Sequence, residues 1–448
     1  MNLERGSPNG LNKQNDSLLL FLVILTVSVF LLGSRHVRIS DAPPSKNTEA
    51  DVNFLADINQ DTDSNPHQWT ILDKLFEKDD ELAKVPVSIG SREVSYYENR
   101  VSFMKDGAES VTKKRLSDKE KVVGLKLLNV KTGDVQIIKV STKITPNGVN
   151  IVSPDGYRIE IAERPNGIKW NWWNTLYRVA APEDTVVIKN NFPREEMITT
   201  TRIVNGKPKK ETRKVVRGFL YVPHSNYFEQ EEQRNVLVKA GSDYEKNIVA
   251  KAFSILRERG VRSKAFPDKL VVDVKALSSR FFERLPLLEQ GDLTEFILEP
   301  RKTVERALMI LGTNRENSWR YTCNWADACG WVQFTPNTYS YIRRSYPTVQ
   351  LMTDFKEGAG DHVNSMMAAI LLHDSNLFSL IRRYGENIVN DPRLEEYLAA
   401  SYNGSPRWVW DSLDATLGKT ADDWTKRLKT ETHGFMFKLR YLIENELP

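Results

Sequence analysis

The spacing of apolar and polar positions divides the chain into stretches with different periods. Leu18 to Gly33, LLLFLVILTVSVFLLG, carries no charge and as a helix would span about 24 Å at 1.5 Å per residue. That is slightly short of a hydrocarbon layer about 30 Å thick. Val37 and Ile39 extend the run and Arg35 and Arg38 can reach the headgroups, so the pattern predicts an uncleaved membrane span over 18–39, after a tail over 1–17. Residues 40–84 begin polar and turn-rich, as a linker would. From about Val85 to Val222, short β-branched runs alternate with turn signals: Thr132-Gly133-Asp134, Pro146-Asn147-Gly148, Pro154-Asp155-Gly156, Pro165-Asn166-Gly167 and Asn205-Gly206. Val135 to Ile144 and Arg158 to Ala162 alternate apolar with polar residues, which suits half-buried antiparallel strands and predicts an all-β unit over 85–225. Ser242-Asp243-Tyr244-Glu245 has the form of a capping box, and Ile248, Ala252, Ile255 and Leu256 follow on one helical face. A helical section is therefore expected from about 242, within a connector over 240–298.

At 448 residues and 40% hydrophobic composition the chain can bury a large core, and its length predicts several units, hence a multidomain α+β protein. The net charge of +4 is small beside 63 basic and 59 acidic residues, so a nucleic-acid partner is not expected. Two cysteines, Cys323 and Cys329, exclude a four-thiolate zinc site, and the histidines show no metal-ligand spacing. Neither a metal nor a cofactor is expected. The closeness of the cysteines allows a local disulfide or a buried thiol pair; we expect the disulfide, closing a small loop between Glu316 and Gln333. Trp170, Trp172 and Trp173 could form a platform for sugar rings, although core filling is the preferred reading. The basic run Lys207, Lys209, Lys210, Arg213, Lys214 and Arg217 could grip an anionic polymer, but a solvated strand face is preferred.

The chemistry concentrates after Pro300. In TVERALMILGTNRENSW, Val304, Ala307, Leu308 and Leu311 recur at helical spacing and Glu316 falls at the helix end, with Trp319, Trp325 and Trp331 close in sequence. A helix C-terminus and apolar surroundings both disfavour an ionised carboxyl, as a glycosidase acid requires. Gly330-Trp331-Val332-Gln333, Pro336-Asn337-Thr338, the apolar helix NSMMAAILLHDSNLFSLI, Tyr402-Asn403-Gly404 and Glu431-Thr432 follow in that order. This succession resembles the lysozyme-like domain of soluble-type lytic transglycosylases, related to goose-type lysozyme, over about residues 295–448. The fold this implies is an N-terminal transmembrane helix, an all-β middle domain and a C-terminal α-helical lysozyme-like domain over 299–448.

By that resemblance Glu316 is the acid/base, Gln333, Tyr402 and Asn403 lie at the sugar and Glu431 is structural; Trp331 and Thr338 of the same blocks are expected to contact the sugar as well, and Cys323 and Cys329 to be structural. The departures are Asn317 for the usual serine, Trp331-Val332 for Leu-Met, and Asn-Gly-Ser for Asn-Ala-Gly. The implied reaction is cleavage of peptidoglycan between N-acetylmuramic acid and N-acetylglucosamine, with 1,6-anhydro closure and no water consumed. The partners are then peptidoglycan strands, the bacterial inner membrane through a single span with the bulk of the chain in the periplasm, and an envelope protein through 85–225. A hydrolytic muramidase using Asp327 to activate water, or a non-catalytic peptidoglycan-binding scaffold, are the alternatives.

Overall fold

The structure, a computed structural model, describes residues 38–39, 69–103, 109–204, 207–416 and 421–447. The alternating segment folds into strands β1 (Ser88–Phe103), β2 (Glu109–Asn129), β3 (Val135–Thr145), β4 (Gly148–Val152), β5 (Arg158–Ile161), β6 (Tyr177–Ala181), β7 (Thr185–Val204) and β8 (Lys207–Tyr221). Six of them form one antiparallel sheet in the order β4-β3-β2-β7-β8, with β1 also on β2; β5 and β6 pair separately. The long strand β2 is the hub, pairing with β1 along Glu109–Val122, with β3 along Val122–Leu128 and with β7 along Gly124–Asn129. Period-two alternation then sends Leu125 and Leu127 into the main core and Leu128 into a second cluster with Ile71 and Leu75. Those two come from α1 (Ile71–Phe76), which with α2 (Asp79–Lys84) flanks the sheet. The fully buried Lys126 ends there, donating to Leu75 O at 3.1 Å and pairing with Asp79. Hairpin β7–β8 pairs from Asn190↔Tyr221 out to Val204↔Lys207, and Lys209, Lys210, Arg213, Lys214 and Arg217 on it are exposed. This agrees with the solvated-face reading of the basic run.

The helical part comprises α3 (Glu231–Glu258), α4 (Ser279–Gln290), α5 (Leu293–Leu298), α6 (Pro300–Asn314), α7 (Pro336–Ser345), α8 (Phe355–Gly360), α9 (His362–Tyr384), α10 (Leu394–Asn403), α11 (Pro406–Thr416) and α12 (Thr430–Glu444). Ser242 does not start a helix; it lies inside α3, which begins eleven residues earlier, at Glu231. Helices α3 and α6 cross almost backbone to backbone. A Cβ on Gly241 would sit 1.9 Å from Leu308 O, and one on Gly312 would sit 2.5 Å from Leu237 O, so only glycine admits the crossing.

Two parts of the expected fold class are corrected. The expected transmembrane helix is corrected at its end: Arg38–Ile39, the last residues of the 18–39 span, form a two-residue strand antiparallel to Thr322–Cys323, and a backbone paired in that way is not helical. Among the described residues no helix is long and apolar enough to cross a membrane; residues 18–37 of the expected span lie outside them. The strand-rich and helical parts are also not separate units with separate cores. A single apolar cluster runs from Tyr96 and Phe192 of the sheet through Phe282 and Leu311 to Leu442, giving one mixed α/β body around a large antiparallel sheet. At its seam Asn314, the last residue of α6, accepts from Val222 N and donates to Val222 O, both at 2.8 Å. One amide thus substitutes for a strand partner and ties the exit of β8 to the end of α6.

Helix α9 carries a buried histidine, His373, whose ring lies 4.3 Å from that of Phe281 and 5.1 Å from that of Phe282. Burial pulls its pKa down to about 3. Between that value and about 6.5 the unfolded chain binds a proton there that the folded chain refuses, so this group costs stability as pH falls through the window. Replacing His373 by Phe removes that cost. We expect the stability of His373→Phe relative to wild type to rise by up to about 1.4 kcal/mol per pH unit from pH 6 to pH 4 in urea titrations; a pH-independent difference would contradict the neutral buried histidine.

Candidate functional site

The block Gly330-Trp331-Val332-Gln333 folds as a buried turn between Cys329 and α7. Its carbonyls cannot all find strand or helix partners, and side chains from three elements supply donors. Gln290, the last residue of α4, donates through Nε2 to Gly330 O at 3.1 Å and Trp331 O at 2.8 Å. Gln333 donates to Gly330 O at 2.7 Å, and Tyr402 of α10 donates to Val332 O at 2.7 Å. Gly330 has φ +76, and a Cβ there would meet Ala359 O at 1.9 Å, so the turn tolerates no side chain at this position.

Glu289 sits beside Gln290 on the last turn of α4 and is 8% exposed. Burial and the neighbouring Glu289 carboxylate together push the Tyr402 phenol well above its ordinary pKa. From α12, the buried Lys438 donates to Leu288 O and, at 3.0 Å, to Gly291 O, the carbonyls on either side of this pair. The end of α4, the turn that carries Glu289, is thereby capped by a cation.

A cavity of about 160 Å³ opens against this turn, between the strand-rich and helical parts. Gln290, Asp292, Glu295, Trp319, Asn324 and Gln333 line one side, and Arg164, Asn166, Asn171, Trp172 and Asn174 line the other. Amides and indoles predominate, a lining suited to a ligand that offers hydroxyls and acetamido groups on an apolar ring. Burial raises the Glu295 carboxyl pKa, with Arg164 opposing; Arg306 lies 3.8 Å from it and also grips Glu229 and Glu299. Trp172, Trp319 and Gln333 adopt φ of +44, +52 and +51, a region that costs a bulky residue about 1–3 kcal/mol and is held where the surroundings over-determine it. All three line this one cavity.

The residues singled out from sequence separate into groups. Gln333 lines the cavity and Tyr402 holds its turn. Asn403 closes α10, half-buried, with its Oδ1 enclosed and without a hydrogen-bond partner. Trp331 is fully buried, stacked on His362 at 4.2 Å with Nε1 donating to Ser365; it supports the turn from behind. Thr338 lies in the capping turn of α7, where its N–H donates to Thr335 Oγ1. Glu431 is exposed in the first turn of α12, where an acidic residue complements the helix dipole. Cys323 and Cys329 form a disulfide beside Asn324, which donates to Gln333 Oε1 at 3.3 Å. Asp327 is exposed in that loop. Glu316 is half-buried in the short turn Arg315–Asn317 after α6; neither it nor Glu289 is among the residues lining the cavity, whereas Gln290, next to Glu289, is. Of the three tryptophans, Trp170 is a core residue donating to Asp118, while Trp172 and Trp173 reach the cavity.

Glu289 escaped the sequence reading because 240–298 was taken as a connector. Its signal was a single carboxylate closing the apolar run Leu285-Pro286-Leu287-Leu288. The chain matches no family model, no curated protein and no solved structure.

Lys438→Met leaves two carbonyls at the end of α4 without their charged donor. We expect a loss of about 2–3 kcal/mol in urea titrations; a loss below about 0.5 kcal/mol would mean that water replaces the ammonium group at no cost.

Proposed function

We propose that the protein is a peptidoglycan lytic transglycosylase whose acid/base is Glu289 in place of Glu316. The observation that carries this is that Gln290 and Tyr402 both donate to the Gly330–Gln333 turn, the sequence block on which the resemblance to the transglycosylases rests, with Glu289 next to Gln290 and near enough to Tyr402 to raise its phenol pKa. Glu289 is a buried carboxyl group on the last turn of α4, adjacent in the chain to the cavity-lining Gln290. In the first step the Glu289 carboxyl donates its proton to the oxygen joining N-acetylmuramic acid to N-acetylglucosamine, and the C1–O bond breaks. The muramoyl acetamido oxygen stabilises the cationic C1, so no second carboxylate is needed. The Glu289 carboxylate then takes the proton of the muramoyl 6-hydroxyl, whose oxygen bonds to C1 and closes the 1,6-anhydro ring. The proton returns to Glu289 and no water is consumed. Such a substrate lies outside the cytoplasm, where the Cys323–Cys329 bond is also at home.

A hydrolytic muramidase is the second reading, because Asp292 and Glu295 line the cavity and either could position water. Asp292 Oδ1 already accepts from Thr294 N and Glu295 N, which favours a capping role.

General acid/base assistance contributes about 10²- to 10⁴-fold, so Glu289→Gln is expected to fold normally and lose at least 10²-fold in release of anhydro-muropeptides from sacculi. Glu316→Gln is expected to stay within about threefold of wild type, since general acid/base assistance is the only large factor at stake. Mass analysis of the products of both variants decides the matter. The converse pattern would return the acid to Glu316, and reducing-end products from wild type would establish hydrolysis.

A further inference from the structure

The cleavage chemistry needs only the helical side of the cavity, yet its opposite wall is built from the loop Arg164–Asn174 of the strand-rich part. We propose that this loop forms a terminal subsite for one N-acetylated pyranose ring and stops the glycan strand there, so that the enzyme cuts from chain ends. The inference rests on the peptidoglycan-cleaving reading above and adds a direction of attack to it.

Size is the first argument. At about 160 Å³ the cavity accommodates a single ring-sized group, well below the roughly 300–1,000 Å³ of pockets that enclose larger ligands. A glycan strand can therefore seat one ring, and no more, in this space.

Chemistry is the second. Asn171, Trp172 and Asn174 from the loop face Gln290 and Gln333 from the acid side. Each amide both donates and accepts, matching hydroxyl and acetamido groups, while the half-buried Trp172 offers an indole to the apolar face of a sugar. Arg164 lines the same space with its Nε buried and without a hydrogen-bond partner, a donor that a sugar oxygen would satisfy.

Rigidity is the third. Arg164 NH2 donates to Asn174 O at 2.9 Å, closing the loop on itself. Asn190 of β7 donates to Trp173 O at 2.7 Å, and His224 N donates to Asn174 Oδ1 at 2.8 Å. The wall is thus fastened to the central sheet, and the positive φ of Trp172 is held by these fixed neighbours. It acts as a stop and does not swing aside as a lid would.

The test uses the full chain. Calorimetric titration of Glu289→Gln with a tetrasaccharide of alternating N-acetylglucosamine and N-acetylmuramic acid measures binding without turnover. Adding Trp172→Ala, or separately Arg164→Gln, is expected to weaken binding at least tenfold while thermal unfolding shows each variant folded. Unchanged affinity in both overturns the subsite. In parallel, wild type acting on long glycan strands is expected to release disaccharide-sized anhydro products from the first time point. Early fragments of intermediate length would overturn the end-stop and leave the cleavage reading intact. Binding that depends on Trp172 without any cleavage would support the subsite and overturn the reaction.

Discussion

A buried peptide carbonyl must find a donor, and the Gly330–Gln333 turn presents three in succession with no ladder to receive them. Gln290, Gln333 and Tyr402 supply the donors from α4, from the turn itself and from α10. Because the turn is satisfied only when these elements are in place, it dictates where α4 ends. The end of α4 in turn fixes Glu289. The site is therefore positioned by hydrogen-bond necessity, with Trp331 stacked on His362 filling the space behind it.

The strand-rich part contributes by stiffness. Strand β2 takes three partners along its length, and this anchors β7, from which Asn190 reaches the cavity loop. Asn314 then joins the far end of β8 to α6 through two short hydrogen bonds. The two walls of the cavity are thus tied together by buried amide side chains on backbone groups.

The sequence was most readable where one local rule decided the outcome. Alternation located the strand Val135–Thr145, proline and glycine punctuation located the turns around it, and the neighbouring cysteines proved bonded. It was least readable where the deciding partner is distant. Nothing near Ser242 reveals that α3 begins at Glu231, since its path is set by the crossing of Gly241 with Gly312. Trp331 looks like a ligand contact until His362, thirty-one positions on, is seen to cover it. Glu289, one residue before the end of α4, and Glu316, in the turn after α6, look alike in sequence; the groups that gather from α10 and the Gly330–Gln333 turn lie near Glu289 in the fold. The end of the expected membrane span at residue 39 was read from an apolar run and its flanking arginines, and hydropathy cannot register that Arg38–Ile39 pair with Thr322–Cys323.

Lys438 reaches back across 150 residues to cap α4, and this separation bears on how the protein is made. During synthesis the sheet emerges first, then α4 with its carboxylate, but the cap arrives only with α12. Contacts so remote in sequence form late, after the intervening loops have closed. A nascent or prematurely terminated chain thus holds Glu289 on an uncapped helix end. The cap that orders the end of α4 depends on a residue made long after the helix it caps.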